Sequence, residues 1–261
     1  ILDDISPLRE LSREVMEATL HFFRSPPTVM NETSNFGSST VSTEFVGANR
    51  STRAQIRYFL KSRHTFGKMT MEILDAEGNT ITTLEPGKQK GLNVVEWGYR
   101  RKPPKVAKGK TFSFGAFTAP TVPAGTYTAV ITKGRETFEH PFELVYDDRS
   151  GLRAAQREQK YRTTMELYDM TQELAYLVYR VDGYLEQAEK AGDKRNQKKL
   201  QELKETLVIT TGDNYVGAAT PQLRENMADL YSKVAGDYDV PSGADLDNLA
   251  LISARFEKAK A

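Results

Sequence analysis

In the middle of the chain, between about residues 54 and 145, hydrophobic and polar positions alternate. Ile56, Tyr58 and Leu60 share one register, and Met69, Met71 and Ile73 share another. Because successive side chains of a strand point to opposite faces, this pattern predicts strands with one buried face. About seven such short segments with turn residues between them indicate a β-sandwich, and not a βαβ fold.

After residues 147–151 the hydrophobic period changes from two to about 3.6, which is typical of helices. One long helix is expected first, and three more follow it after breaks at 192–193, 220–221 and 241–243. Short connections favour antiparallel neighbours, and therefore an up-down helical bundle. The predicted fold is a two-domain chain, all-β and then all-α, with an antiparallel Ig-like β-sandwich before the bundle.

The N-terminal part is predicted to be a linker helix. Ser6 and Pro7 form a helix start, hydrophobic residues follow at helical spacing, and Pro26 with Pro27 ends the helix. Residues 28–51 are rich in Ser, Thr, Asn and Gly, which predicts a surface loop with a short edge strand around residues 41–46. The predicted domains are therefore residues 1–27, 28–147 and 148–261.

Composition narrows the function classes. The 261 residues carry 36 Lys and Arg against 35 Asp and Glu, a net charge of +1, which gives no global attraction to nucleic acid or membrane. The absence of cysteine excludes disulfides and thiolate chemistry. No hydrophobic run approaches the roughly 20 residues that span a bilayer. Because the chain opens at Ile1 without Met or a signal peptide, we expect a mature fragment or an excised piece of a longer protein.

Three segments of the β region carry a family resemblance. MEILDAEG at 71–78, GLNVVEW at 91–97 and PAGTY at 123–127 resemble the Ig-like domain of the flagellar hook-capping protein and of many bacterial secreted proteins. The resemblance covers about residues 51–145, and residues 98–121 form an insertion where the short form of the domain has only a few residues.

The flanks are similar to a narrower group. ILDDISPL at 1–8 resembles the segment that closes a BNR-repeat, sortilin-like β-propeller in secreted proteins of Bacteroidota, often labelled glycosyl hydrolases. In that group a linker helix, an Ig-like domain with a KPPKV insertion and a helical bundle follow the propeller. The resemblance implies secretion to the periplasm or cell surface, and an upstream propeller or other envelope proteins as partners. No catalytic residue can be transferred, because the family's propeller is not in this sequence.

Motifs for catalysis are missing. His21, His64 and His140 lie in different elements without metal-ligand spacing, and His140 falls on the hydrophobic register of its strand, as a core histidine would. The pairs Asp3–Asp4 and Asp147–Asp148 are adjacent residues whose side chains diverge on an extended chain, so turn and capping roles explain them better than a glycosidase pair. No phosphate-binding or nucleophile motif occurs, and no metal or cofactor is expected.

The most unusual segment is the basic run at 100–110, which holds Arg and Lys and no acid. It could grip a polyanion, or it could be a solvated insertion that rests on the propeller, and the family resemblance favours the second. Trp97 and Tyr99 could stack on a sugar, although a core tryptophan is the simpler interpretation of Trp97. The candidate ligand-binding residues are Trp97, Tyr99, Arg100, Arg101, Lys102 and Lys105.

Three functions follow from these observations. The first is a non-catalytic structural and interaction module that contacts the propeller or other envelope proteins. The second is a carbohydrate-binding accessory region of a glycoside hydrolase, motivated by the sandwich and its aromatic residues. The third is polyanion binding through residues 100–110, with nucleic acid the least expected polyanion.

Overall fold

A computed structural model describes residues 5–32, 51–212 and 219–260 of the chain. The predicted edge strand at 41–46, and Asp3–Asp4, lie outside the described residues. The chain forms two compact units, which we call the β unit and the helical unit. The β unit comprises Ile1–Arg101 and Thr121–Gly151, and the helical unit comprises Lys102–Pro120 and Leu152–Ala261.

The β unit contains eight strands among its described residues, arranged in two sheets. The strands are β1 (Leu20–Phe22), β2 (Thr28–Met30), β3 (Ala54–Leu60), β4 (Met69–Leu74), β5 (Thr80–Leu84), β6 (Gly91–Trp97), β7 (Gly125–Lys133) and β8 (Glu136–Tyr146). One sheet has the order β1-β3-β6 and the other the order β2-β8-β7-β4-β5.

The prediction of purely antiparallel sheets is wrong at one edge. β2 pairs with β8 in parallel, with Thr28 opposite Leu144 and Met30 opposite Tyr146, whereas the other strand pairs are antiparallel. Parallel neighbours need a long connection, and here the whole run of strands from β3 to β7 lies between the two partners. The five-stranded sheet is therefore mixed.

Buried side chains from both sheets meet in one hydrophobic cluster. The alternating positions of β3 and β4 supply Ile56, Tyr58, Met71 and Ile73, which are fully buried. The Tyr58 hydroxyl donates to Gly87 O at 2.6 Å, so the one polar atom of this ring is satisfied, while burial raises the pKa of Tyr58. The period-two prediction for these strands is confirmed by their burial patterns.

The predicted N-terminal helix is wrong in length. Two five-residue helices replace it, α1 (Ser6–Glu10) and α2 (Arg13–Glu17), and β1 follows directly. Ser12 begins the second helix, because its hydroxyl accepts from the Val15 N–H at 3.3 Å. Pairing of β1 with β3 takes the next residues out of helical register. Tertiary contacts thus override the helical spacing of the sequence.

The helical unit contains four long helices among its described residues. They are α3 (Ala154–Lys190), α4 (Lys194–Leu207), α5 (Leu223–Gly236) and α6 (Gly243–Lys260). The Asp193 side chain caps α4 by accepting from Asn196 N–H at 3.0 Å. α3 packs against α4 and α5, and α5 packs against α6. Hydrophobic stripes such as Leu167, Leu174, Val178 and Val181 of α3 form the second core cluster.

The compact units differ from the predicted domain ranges at the insertion. Lys102–Pro120 belongs to the helical unit, whereas the predicted range 28–147 assigned it to the β-sandwich. The physical reason is a set of buried hydrogen bonds between this segment and α5, described below. Within the described ranges, no helix combines the length and hydrophobicity needed to cross a membrane.

Candidate interaction surface on the helical unit

A buried arginine of α5 holds the insertion in place. Arg224 is only 4% exposed, and its guanidinium donates to Ala107 O at 3.0 Å and to Thr111 O at 2.8 Å. These carbonyls lie more than a hundred residues earlier in the sequence. Because buried backbone carbonyls need a donor, the bond to Ala107 O satisfies a group in the protein interior, and the bond to Thr111 O is partly buried. Arg224 therefore fixes residues 107–111 of the insertion on the helical unit.

The charge of Arg224 is balanced by its neighbour. Glu225 is also buried, and its Oε1 lies 2.5 Å from Arg224 Nη2. The same carboxylate accepts from the Thr111 hydroxyl at 2.8 Å and, through Oε2, from the Gln222 N–H at 3.2 Å at the start of α5. One ion pair thus joins the insertion to the N-terminus of α5. Such a pair is expensive to break, because either partner left alone is an uncompensated buried charge.

The second half of the insertion packs directly on α5. It forms a short 3-10 turn, Phe114–Phe117. The Tyr231 hydroxyl donates to Thr118 O at 2.6 Å. A Cβ on Gly115 would lie 2.6 Å from the Ser232 side chain and 3.0 Å from Ala228 O, so only glycine allows this approach without a shift. The insertion is therefore a packed part of the helical unit.

Three phenylalanines of the packed insertion point to solvent. Phe114 is 78% exposed, and Phe112 and Phe117 are about half exposed. Their rings touch: the Phe112 centroid lies 4.1 Å from that of Phe114 and 5.9 Å from that of Phe117. We call these three residues the aromatic cluster. A contiguous exposed aromatic group on a rigid segment is the usual mark of an interaction site.

Lysines precede the aromatic cluster along the same segment. Lys105, Lys108 and Lys110 are exposed. The Lys105 ammonium lies 5.1 Å from the centroid of the Tyr176 ring on α3, which is a cation–π distance. The Lys110 N–H donates to Ile209 O at 2.9 Å. The insertion therefore presents exposed lysines first and the aromatic cluster directly after them in sequence.

Trp97, the first of the predicted ligand-binding residues, lies in the core of the β unit. It is 2% exposed, and its Nε1–H donates to Arg100 O at 3.0 Å. Tyr127 and Phe142 pack edge-on against it, with centroid distances of 5.3 and 5.8 Å. A sugar cannot stack on a ring that these neighbours cover. The sugar-stacking role of Trp97 is therefore corrected to a core role.

The other predicted residues are divided between the units. Tyr99 is half-buried with φ of 45°, and its hydroxyl accepts from the Asn31 N–H at 3.2 Å. Arg100 and Arg101 belong to the β unit, whereas Lys102 and Lys105 belong to the helical unit. Arg100, Arg101 and Lys102 each have an interaction within the protein. The six residues thus do not form a single described site. Lys105 is the one of the six nearest to the aromatic cluster in sequence, and it lies over the Tyr176 ring.

Two of the three histidines lie near each other in the β unit. His140 is half-buried, stacks on Phe22 at 5.1 Å between centroids, and shares a 3.0 Å hydrogen bond with Ser25 Oγ. Burial lowers the pKa of His140, while the charge of Glu10 acts in the opposite direction and His21 adds to the lowering. Among the described residues no group of three His, Asp or Glu side chains could hold a metal ion.

Two acidic residues with a strongly lowered pKa, Asp147 and Asp245, have structural partners. Arg149 donates to both oxygens of Asp147 and lowers the pKa of that carboxyl to about 2. A groove of about 440 Å³ between α5 and α6 contains Lys233 and Asp245, 2.6 Å apart. Lys233 and Ser242 lower the pKa of Asp245 to about 2. Because Asp245 also accepts from the Ser242 N–H, it serves as a cap at the start of α6.

The aromatic cluster and its anchor were not predicted from the sequence. Phe112, Phe114 and Phe117 stand close together in a segment rich in Lys and Gly, and aromatic residues at such spacing in an insertion were a usable indication of a surface site. Arg224 gave no such indication, because a helical arginine usually faces solvent.

Comparisons with known proteins give little beyond this geometry. No family model matches the chain, and no curated protein matches it. One solved structure, PorZ, is described as an essential bacterial surface component of the type-IX secretion system of human oral-microbiomic Porphyromonas gingivalis. This match has 13% sequence identity and a TM-score of 0.21, and covers 34% of the present chain and 9% of PorZ.

Proposed function

We propose that this chain is a non-catalytic interaction module in which the helical unit presents the insertion to a partner protein. The observation that carries the proposal is the exposed aromatic cluster. Its segment is held by hydrogen bonds from the buried side chains of Arg224 and Tyr231. Preorganised aromatic side chains bind well, because little conformational entropy is lost when the partner arrives.

The proposal includes the finer architecture expected from the sequence. The β unit is an Ig-like β-sandwich, supported by two sheets whose buried faces share one core cluster. The helical unit is an up-down bundle, supported by the packing of α3 on α4 and of α5 on α6. In the proposal the domain boundary of the C-terminal part follows residue 147, and the module belongs to a larger secreted or cell-surface propeller protein, as the sequence resemblance implies.

A protein partner suits the surface better than a glycan. The partner is then the upstream propeller or another envelope protein. Glycan binding would draw on Trp97, whose ring is covered in the core. Polyanion binding through residues 100–110 would draw on all the cations of the run, but Lys105 lies against Tyr176 and Arg100, Arg101 and Lys102 have interactions of their own, which leaves Lys108 and Lys110. Hydrophobic contact at the aromatic cluster, with lysines at its rim, remains the favoured mode.

Site-specific crosslinking tests the proposal. A photoreactive phenylalanine analogue at Phe114 is expected to crosslink to a protein in cell envelopes that contain the chain. The matched control is the same analogue at Tyr179, a surface position of α3 with the same 78% exposure. The crosslinked band should appear at Phe114 and be absent at Tyr179, because exposure alone does not make an interface.

Two further variants define the outcome. With the analogue kept at Phe114, Phe117→Ser should weaken the crosslinked band about tenfold, whereas Tyr179→Ser should leave it unchanged. Equal crosslinking from Phe114 and Tyr179, or no protein crosslink from Phe114, would show that the aromatic cluster is not a protein-docking site.

A further inference from the structure

One end of the β unit gathers three positively charged loops. They are residues 61–68 between β3 and β4, residues 85–90 between β5 and β6, and residues 133–136 at the turn between β7 and β8. We call this group of loops the basic end. It is separate from the insertion, and the proposed function makes no use of it.

The strand pairing brings the three loops together. Leu60, the last residue of β3, lies opposite Gly91, the first of β6. Met69, the first residue of β4, lies opposite Lys133. The loops also touch through backbone hydrogen bonds, from His64 N–H to Lys88 O at 3.0 Å and from Gly134 N–H to Lys68 O at 3.4 Å. The basic end is therefore one continuous surface.

The charge of the basic end is large for its size. Its seven Lys and Arg residues against two acids, Glu85 and Glu136, give 7 − 2 = +5. No ion pair involving any of the seven occurs within the described part of the chain. The seven cations are Lys61, Arg63, Lys68, Lys88, Lys90, Lys133 and Arg135.

A single aromatic side chain stands among these cations. Phe66 is 89% exposed, and it is the one aromatic ring in the three loops other than the imidazole of His64. The loop is held behind it, because the His64 ring shares a 3.1 Å hydrogen bond with Gly67 O and Gly67 turns the chain at φ +86°. The ring is thus presented by an ordered loop.

The opposite end of the same sheet has the opposite charge. The turn between β4 and β5 carries Asp75 and Glu77, and Asp75 accepts from the Asn79 N–H at 2.7 Å. A negatively charged surface would therefore attract the basic end and repel the turn between β4 and β5 at the opposite end of this sheet. Such a charge difference orients a molecule before contact.

We propose that the basic end binds the surface of an anionic lipid layer, with Phe66 entering between the headgroups. Clustered Lys and Arg residues bind anionic headgroups, and an exposed aromatic ring gains by leaving water for the acyl boundary. A single-stranded nucleic acid would call for several aromatic rings on which successive bases stack, and the basic end offers Phe66 alone. A lipid surface uses both features of this end at once.

Co-sedimentation with vesicles tests this proposal. The full chain should bind vesicles with about 30% anionic phospholipid, bind neutral vesicles at least tenfold more weakly, and be released by raised salt. Phe66→Ser should lower the partition coefficient about tenfold. Lys61→Gln with Arg63→Gln should lower it about 30-fold, at roughly 1 kcal/mol for each cation near the membrane surface. The matched control is Tyr179→Ser, an equally drastic change at a surface position of α3 that is 78% exposed, which should leave binding unchanged.

Fluorescence gives a second, independent readout. Phe66→Trp should show a blue shift with anionic vesicles alone, against the constant background of Trp97, the single and buried native tryptophan. Three outcomes overturn the proposal: no vesicle binding, binding that neither Phe66→Ser nor the change of Lys61 and Arg63 weakens, or binding of soluble polyphosphate with no affinity for vesicles. None of these results bears on the crosslink expected at Phe114, so the two proposals fail separately.

Discussion

The insertion and the basic end both present phenylalanine among cations, but they are held in different ways. The loops of the basic end are fixed by their neighbouring strands, through hydrogen bonds such as that of Gly134 N–H to Lys68 O. The insertion is fixed by side chains from α5, which lies over a hundred residues away in the sequence. One surface is therefore a local product of a sheet, and the other depends on a distant helix.

This difference means that the two surfaces should fail under different perturbations. Changes in α5 should release the insertion and leave the basic end intact. Two probes separate the units: Trp97 is buried in the β unit and reports its unfolding by fluorescence. The long helices all lie in the helical unit among the described residues, so far-ultraviolet circular dichroism reports chiefly that unit.

The largest expected effect comes from Arg224→Ala. It leaves Glu225 as an unpaired buried charge and removes the donor of Ala107 O and Thr111 O, so we expect a loss of about 3–5 kcal/mol in the free energy of unfolding. Denaturant titration followed by circular dichroism measures it.

The control for this substitution is Arg195→Ala, at an exposed position of α4. It should change the free energy of unfolding by less than about 0.5 kcal/mol. Arg224→Lys keeps the charge and loses the forked donor geometry, so an intermediate loss is expected. A larger shift in the Trp97 transition than in circular dichroism would contradict the assignment of Arg224 to the helical unit.

Gly115→Ala should cost about 2 kcal/mol, because the new Cβ would overlap Ser232 and the backbone of Ala228. Gly183→Ala is the matched control in the same unit. It has no atom within 4 Å of the added Cβ and lies inside α3, so the alanine should stabilise the helix by about 0.5–1 kcal/mol. Thermal unfolding distinguishes the two signs, and a stabilising Gly115→Ala would mean that the insertion does not pack on α5 as described.

The strands were predictable because burial of one face produces an alternation of hydrophobic and polar residues in the sequence. Met69, Met71 and Ile73 alternate with more exposed residues since one face of β4 packs into the core. The break after α3 was similarly marked by Gly192 and Asp193, and the structure adds that Asp193 caps α4. Such features are local, so the order of residues is enough to identify them.

The errors arose where distant parts of the chain decide the structure. Leu20 fits a helical stripe, but pairing with Leu60 places it in a strand. β2 joins β8 in parallel across most of the β unit. No sequence pattern around Thr111 or Arg224 predicts the hydrogen bond between them. For the same reason the basic run at 100–110 was recognised, while the packed and aromatic nature of the segment that follows it was not.

Lowering the pH should have a smaller effect on stability, and Asp245 makes this effect specific to the helical unit. The Asp245 pKa is lowered from 3.8 to about 2 by Lys233 and Ser242. A carboxyl with a depressed pKa in the folded state stabilises it above pH 3.8, and the contribution is lost as the pH falls through about 2. Asp245→Asn should therefore cost about 1 kcal/mol at neutral pH, discounted because Lys233 is more than half exposed. The penalty should vanish near the lower pH, and a constant penalty would exclude this origin.

The smallest effect should occur in the β unit at milder acid. Burial lowers the pKa of His140 below 6.5, so the unfolded chain takes up this proton first as the pH falls. Stability is then complete above pH 6.5 and declines below it, and the decline is small because this group is only partly buried. Trp97 fluorescence during denaturation at several pH values should detect the decline.

His140→Gln should remove the decline, and the loop variant His64→Gln should retain it. The reason is that Ser25, Phe22 and Glu10 interact with His140 and not with His64. If the decline is undiminished in His140→Gln, other groups cause the acid response of the β unit. The two surfaces would then differ only in how they are held, by neighbouring strands in one case and by side chains of α5 in the other.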